Sequence, residues 1–293
     1  MAENDPLLSG IIDKDYIIYN HPIINKKISQ AEWEEFSEVE EDFLDSTIPI
    51  EDSRILKWIN KVKNEEDSLR QSIKTLISDL KFVWNNKHYQ QRSPMINEST
   101  FTHDILSPIL KFIAPKFFKR WDQAQSLSAK DRGVLKYVDV IGMSVNKSHL
   151  FENFFVEVSH GPFYEHPEQH IMEDNIKLGK LGKDSLDRNS LYITDNIDDK
   201  IFLFHLHADY ICVSLMDYKF RPVVRKISLE RIQIPFFSND TGFKILNFIK
   251  ELHKYRRIFE NILRMYEDES NIREIKRQKF VEIKTKVSPK KIK

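Results

Sequence analysis

The sequence predicts an α/β domain with a mixed sheet, and three observations lead there. Apolar residues recur at three- and four-residue steps in several long stretches, as buried helix faces require. Between them lie short runs of Val, Ile, Phe and Leu that read as strands. The order is helices, strands, helix, strands, helix, which sets a sheet between helical layers.

The 293 residues suffice for one large domain or two small ones with a substantial core. Lys plus Arg equals Asp plus Glu, 45 of each, so net charge selects no partner. Its distribution is uneven. Ten acids fall within residues 28–53, including Glu32, Glu38, Asp42 and Asp52. Residues 271–293 hold nine bases against two acids. Residues 1–50 are therefore expected to be an acidic, loosely attached segment. Cys212 is the single cysteine, which excludes an intrachain disulfide and fits a reducing, intracellular compartment, cytoplasmic or nuclear. Its neighbours Ile211 and Val213 suggest a buried strand thiol. Neither a membrane span nor a secretory leader is expected.

The helical reading begins at 51–90, where Leu56, Ile59, Val62, Leu69, Ile73, Leu76, Leu80 and Val83 share a stripe. Ser93-Pro94 ends it. Asn97 is suited to cap a second helix, with Phe101, Ile105, Leu106, Ile109, Leu110 and Ile113 as its apolar face. Glu98 then sits in the first turn, where its charge suits the helix dipole. Strands are expected at 121–127, 137–145 and 150–158, a helix at 167–186, and a meander at 201–207, 210–217 and 222–229. Asn239-Asp240 opens a last long helix carrying Phe243, Leu246, Ile249, Leu252, Phe259 and Leu263.

The runs Lys136-Tyr-Val-Asp139-Val-Ile-Gly142 and Phe155-Val-Glu157-Val-Ser159 each hold one carboxylate among apolar residues, Asp139 and Glu157. A carboxylate is costly to bury there unless something compensates, and a metal ion is the usual compensation when two converge. Hard oxygen ligands suit Mg2+ or Mn2+, which keep several waters of their own. The competing readings are local. Asp139 could pair with Arg132 or Lys136, and Glu157 could face solvent on an edge strand.

Glu98 on a helix, Asp139 on a strand and Glu157 on the next strand resemble the PD-(D/E)XK nuclease superfamily over residues 97–215, and that superfamily's core is α-β-β-β-α-β. The resemblance implies a restriction-endonuclease-like mixed sheet flanked by helices, spanning 51–270 with a helical N-terminal extension at 51–93. It implies that Asp139 and Glu157 hold the metal and that Glu98 supports it. A second likeness is to an expanded family of uncharacterised proteins in early-diverging fungi. It rests on Asn97-Glu-Ser-Thr-Phe101, Val156-Glu-Val-Ser-His160-Gly-Pro162, Asp174-Asn-Ile-Lys-Leu-Gly-Lys180 and Met216-Asp217 with Arg225-Lys226. It implies a shared fold built around those positions.

The chain departs from the nuclease pattern at Ser159, where that pattern has lysine, and Val138 stands where it has proline. Serine has no charge to set against a developing phosphate anion. Some superfamily members supply the lysine from the following helix, which makes Lys177, Lys180 and Lys183 candidates. The alternative is that they are solvated lysines.

Other clusters carry less. His166 and His170 are spaced like a zinc pair, but Pro167 stands where a zincin needs glutamate. His205 and His207 share a strand face. The glycines match no phosphate loop or nucleophile elbow. Arg273, Lys276, Arg277, Lys279, Lys290 and Lys291 in the tail suit nonspecific phosphate contact or nuclear import, and Ser288-Pro-Lys-Lys291 resembles a minor-groove motif of linker-histone tails. The expectation is a Mg2+-dependent nuclease-like protein that acts on or binds nucleic acid. The alternatives are an inactive nuclease fold serving as an interaction module, and a scaffold that dimerises through its long helices.

Overall fold

The computed structural model describes residues 11–13, 67–146, 149–164, 168–194, 199–221, 223–237, 242–268 and 272. The acidic run at 28–53, the first part of the helical extension and the basic tail beyond Ile272 lie outside them.

Strand β1 is only Ile11–Asp13. Helix α1, Asp67–Asn85, buries Leu69, Ile73, Leu76, Leu80 and Val83, the stripe that its periodicity predicts. Asn86 then caps the short α2, Lys87–Gln90, accepting the His88 N–H at 2.9 Å. Asn97 caps α3, Glu98–Phe101, accepting the Thr100 N–H at 2.9 Å. The helix continues through a π-helical turn, Thr102–Leu106, into α4, Ser107–Ile113. The wider turn has a cause in Pro108. In an unbroken α-helix its ring would meet the Asp104 carbonyl and leave that oxygen without a donor. Ala114 leaves helical geometry ahead of Pro115, as residues before proline do.

Strand β2 runs Phe118–Gln125, earlier than the 121–127 that its apolar residues predict. Its register shifts between Trp121 and Ala124, where Asp122 and Gln123 adopt positive φ of 58° and 55°. Leu127, expected at the strand end, instead begins α5, Leu127–Asp131, capped by Ser126. Then come β3, Tyr137–Asn146, and β4, His149–Val158. Helix α6 spans Glu168–Asn189. Strands β5, Lys200–His207, β6, Tyr210–Phe220, and β7, Val223–Gln233, form the expected meander, with the last two longer than predicted. Helix α7, Gly242–Glu267, closes the domain. The proposed opening at Asn239-Asp240 lies outside the described residues.

Seven strands form one mixed sheet in the order β1-β7-β6-β5-β4-β3-β2, six of them long and β1 a short edge. Strands β2, β3 and β4 are antiparallel, α6 then crosses over, and β5 returns parallel to β4. Helices cover both faces. Helices α1, α4 and α7 pack on the larger core with Phe154, Val156, Phe202 and Phe204. On the opposite face α6 packs through Leu178, Leu181 and Leu186 against Ile141, Phe155 and Leu203. The apolar stripes of α1 and α7 are thus used inside the domain, so a dimer would need another surface.

Gly161, just after β4, fixes where α3 starts. A Cβ there would lie 1.8 Å from the Ile96 carbonyl oxygen, so only glycine allows this backbone contact. The contact sets Asn97 and Glu98 beside the end of β4. Among the described residues no helix is long and apolar enough to cross a membrane.

Candidate functional site

Asp139 lies near the start of β3 and Glu157 near the end of β4. Val140 pairs with Val156, so the two acids leave neighbouring strands at the same level. Both are buried, at 8% and 3% exposure, on central strands. Glu157 is therefore not on the solvent face of an edge strand. Asp139 does not pair with Arg132 or Lys136 either, since both of those cations bind Asp184.

Asp139 Oδ2 accepts the Val158 N–H at 2.8 Å. Its Oδ1 faces the Gln123 amide at 3.4 Å, brought there by the positive-φ bulge in β2. Burial, then the Asp139 charge, pushes the Glu157 pKa up to about 9. Burial also raises Asp139, opposed by the Val158 N–H and the Lys177 charge. Glu98 is raised as well, by burial and by the charges of Asp139 and Asp174. The Asp139 charge thus raises acids on two other elements, Glu98 on α3 and Glu157 on β4, and carboxyls perturbed in this way mark a candidate functional site.

One of the three candidate lysines reaches this group. Lys177 Nζ lies 2.5 Å from Glu157 Oε1 and 3.6 Å from Asp174 Oδ1. Burial alone would lower its pKa, but the charges of Glu157, Asp174 and Asp139 outweigh that and raise it. The other two do not share its position. Lys183 pairs with Asp187 at 2.5 Å, and Lys180 lies near Lys136 and Asp184. Each three-residue step turns a helix by about 300°, about 60° short of a full turn, so one step already moves Lys180 off the Lys177 position and a second moves Lys183 further. Lys180, expected to assist catalysis, faces this other network.

Two residues not singled out as ligands join the group. Asp174 is brought in by α6 one turn before Lys177. Ser159, at the lysine position of the nuclease pattern, contacts Asp174 Oδ2 at 2.5 Å and His205 Nε2 at 2.7 Å. A cleft of about 460 Å³ opens beside Asp139, lined by Glu98, Thr102, Trp121, Asp122 and Gln123 among others, with no Lys or Arg among the described residues of its wall. The π-helical turn contributes Thr102 and His103 to that wall, and turns of this kind recur at functional sites.

A divalent ion fits the donor set in one respect and finds a limit in another. Glu157 Oε1 is buried and accepts no aligned hydrogen bond, its charge facing the Lys177 ammonium. An unsatisfied buried carboxylate oxygen next to a second carboxylate suits a hard cation that keeps its waters. Yet among the described residues no group of three or more His, Cys, Asp or Glu side chains converges to hold an ion. The site as built offers a pair of carboxylates, not a closed cage.

Glu152 shows what a structural acid looks like in the same strand. It is fully buried and accepts from the Leu127 N–H at 2.8 Å, the Ser128 N–H at 3.1 Å and the hydroxyls of Ser126 and Ser128. Those donors form the N-terminus of α5. Its oxygens meet aligned donors, while Glu157 Oε1 meets the Lys177 ammonium without an aligned hydrogen bond.

His166 lies outside the described residues, and His170 packs edge-on against His160 at 4.4 Å. His205 and His207 do share a face, 5.2 Å apart. Cys212 is half-buried rather than buried, with Sγ 3.3 Å from His207 Nε2. The tail residues Arg273, Lys276, Arg277, Lys279, Lys290 and Lys291 lie outside the described residues.

The Glu157 carboxyl makes stability depend on pH with a definite sign. Its folded value of about 9 exceeds the ordinary 4.5, so between these the folded chain holds a proton that the unfolded chain has lost. Its contribution is full below the lower value and fades as pH rises through the upper one. Without divalent ions, Tm should fall from pH 5 to pH 9, and Glu157→Gln should flatten the slope. Calorimetry across that range checks this; parallel slopes in the two proteins would refute it.

No family model, curated protein or solved structure matches this chain.

Proposed function

We propose that this protein is a divalent-metal-dependent phosphodiesterase that acts on nucleic acid. The observation that carries the reading is the meeting of Asp139, Glu157 and Lys177 beside an open cleft. The α, βββ, α, β order that delivers them is also the order that the nuclease resemblance implies. Asp139 and Glu157 hold Mg2+ or Mn2+, with Glu98 supporting from the start of the helix. The bound ion would lower the pKa of a water and offset phosphate charge. Lys177, one element later than Ser159, supplies the positive charge that serine lacks. Asp139 keeps its orientation through the Val158 N–H, and Gln123 steadies its other oxygen.

The cleft wall is acidic around Asp139, so it does not attract a polyanion by itself. The nine bases of residues 271–293 are the natural source of nonspecific phosphate contact. A second reading is an inactive nuclease fold that binds nucleic acid. Ser159 favours it, because the usual lysine position holds no charge.

The test is cleavage of plasmid DNA and single-stranded RNA with Mg2+ or Mn2+ by the full chain, beside Asp139→Ala and Glu157→Ala. Cleavage that needs the ion and vanishes in both variants supports the first reading. Folded wild-type protein that binds either polymer without cutting it selects the second.

A further inference from the structure

The cleft beside Asp139 has a lining that does not suit a phosphate. Phosphate contacts come mainly from cations and aimed N–H donors, and the described wall holds no Lys or Arg. It presents acceptors and one aromatic ring instead. Glu98 and Thr102 come from α3 and the π-helical turn, Asp122 and Gln123 from the bulge of β2, and Asp139 from β3. The ring is Trp121. The volume, about 460 Å³, falls within the range of pockets that admit small molecules, about 300–1,000 Å³.

Trp121 is held in place and left without a partner. It pairs with Val140, the neighbour of Asp139 in β3, and packs half-buried against the larger core. Among the described residues its ring has no aromatic neighbour and its indole N–H no acceptor. Trp84 shows the satisfied alternative, since it donates its N–H to the Pro235 carbonyl at 2.8 Å. The two residues after Trp121 are strained, with Asp122 at φ 58° and Gln123 at φ 55°. Left-handed backbone of this kind persists where the surrounding structure holds it, commonly at ligand sites. Here it takes two polar side chains out of the β2 ladder and into the cleft wall.

A nucleobase matches both parts of this wall. Its flat face stacks on an aromatic ring. The exocyclic amino group of adenine, cytosine or guanine donates to carboxyl or amide oxygens. In a duplex the neighbouring pairs cover that face and the partner base engages the pairing edge, so the base has to be unpaired. We propose that the cleft takes up one unpaired, amino-bearing base of a single strand, which stacks on Trp121 and donates to acceptors that include Asp122. The proposal deepens the phosphodiesterase reading above and rests on it. The phosphates of the strand then stay outside the acidic wall.

The experiment is binding of labelled oligo(dC), oligo(dT) and a DNA duplex to the full chain by fluorescence anisotropy, with EDTA present so that nothing is cut. Oligo(dC) should bind more tightly than oligo(dT), whose base lacks the amino group, and more tightly than the duplex. Trp121→Ala should weaken oligo(dC) binding about 10-fold, within the range for losing one base–aromatic stack, and leave duplex binding unchanged. Trp121→Phe, which keeps a ring, should recover most of the loss. Asp122→Asn keeps a residue that tolerates positive φ but adds amide donors, so it should narrow the preference for dC over dT. A loss of structure alone would not change base preference. RNA strands run in parallel name the polymer: the effects in either arm support the proposal, and their absence from both overturns it. Equal weakening of single strand and duplex by Trp121→Ala also overturns it. If these effects are absent while Mg2+-dependent cleavage is lost in Asp139→Ala and Glu157→Ala, the phosphodiesterase reading stands and the base pocket falls. If folded wild type neither binds nor cuts any of these polymers, both fall.

Discussion

Lys177→Met is expected to cut metal-dependent cleavage by about 10³-fold, the upper range for removing one preorganised group that stabilises transition-state charge. The size follows from how little else is present to do the work. Among the described residues the cleft wall beside Asp139 has no Lys or Arg, Lys183 is tied to Asp187, and Lys180 faces Asp184 and Lys136. The loss should fall on kcat rather than KM, because charge on the phosphate develops in the transition state. Lys177→Arg should recover part of the rate: the charge returns, but a planar fork replaces a compact ammonium. Single-turnover kinetics with saturating Mn2+ reads the effect directly. A methionine variant within a few-fold of wild type would remove Lys177 from the mechanism.

Glu152→Ala should produce the largest loss of stability, about 3–5 kcal/mol, the cost of removing one partner from a buried charged network. The carboxylate is fully buried and meets backbone and hydroxyl donors from Ser126, Leu127 and Ser128. Its removal leaves the start of α5 with unpaired buried N–H groups and opens a cavity beside β4. Glu152→Gln should rescue little, since its amide turns a donor toward donors. Urea unfolding should show a lower midpoint with an unchanged m-value. A midpoint within about 0.5 kcal/mol of wild type, the range of ordinary surface substitutions, would contradict the role.

Much of this architecture is legible in the residues, and the failures have causes. Strands β3 and β4 declare themselves through mainly apolar runs without alternation, since both faces are covered by helices. Asn97 marks its helix by a cap that the structure reproduces. Strand β2 does not declare itself. Phe118-Lys-Arg-Trp-Asp-Gln lacks alternation because two residues bulge out of the ladder at positive φ. The five-residue α5 is too short to show a period, and Ser126 three residues before Ala129 is its one sign. At the site, Asp139 and Glu157 stand out because they are carboxylates in apolar strands. Asp174 does not, because an acid on an amphipathic helix looks solvated until its neighbours are known. Lys177 and Lys180 look equivalent by spacing, and only the rotation of α6 separates them.

The parallel pairing of β4 with β5 has a bearing on how the protein is made. Glu98, Asp139 and Glu157 precede the crossover, Lys177 lies within it, and His205 belongs to the strand that follows. Such a crossover closes only after the second parallel strand is available, and non-local pairing of this kind is late in folding. During translation the first three acids leave the ribosome well before the helix that carries their cation. The pairing of Lys177 with Glu157 therefore waits for α6 to fold onto the strands that precede it. A product truncated before α6 would keep the three acids and lack Lys177, and under the proposed reading it would be inert.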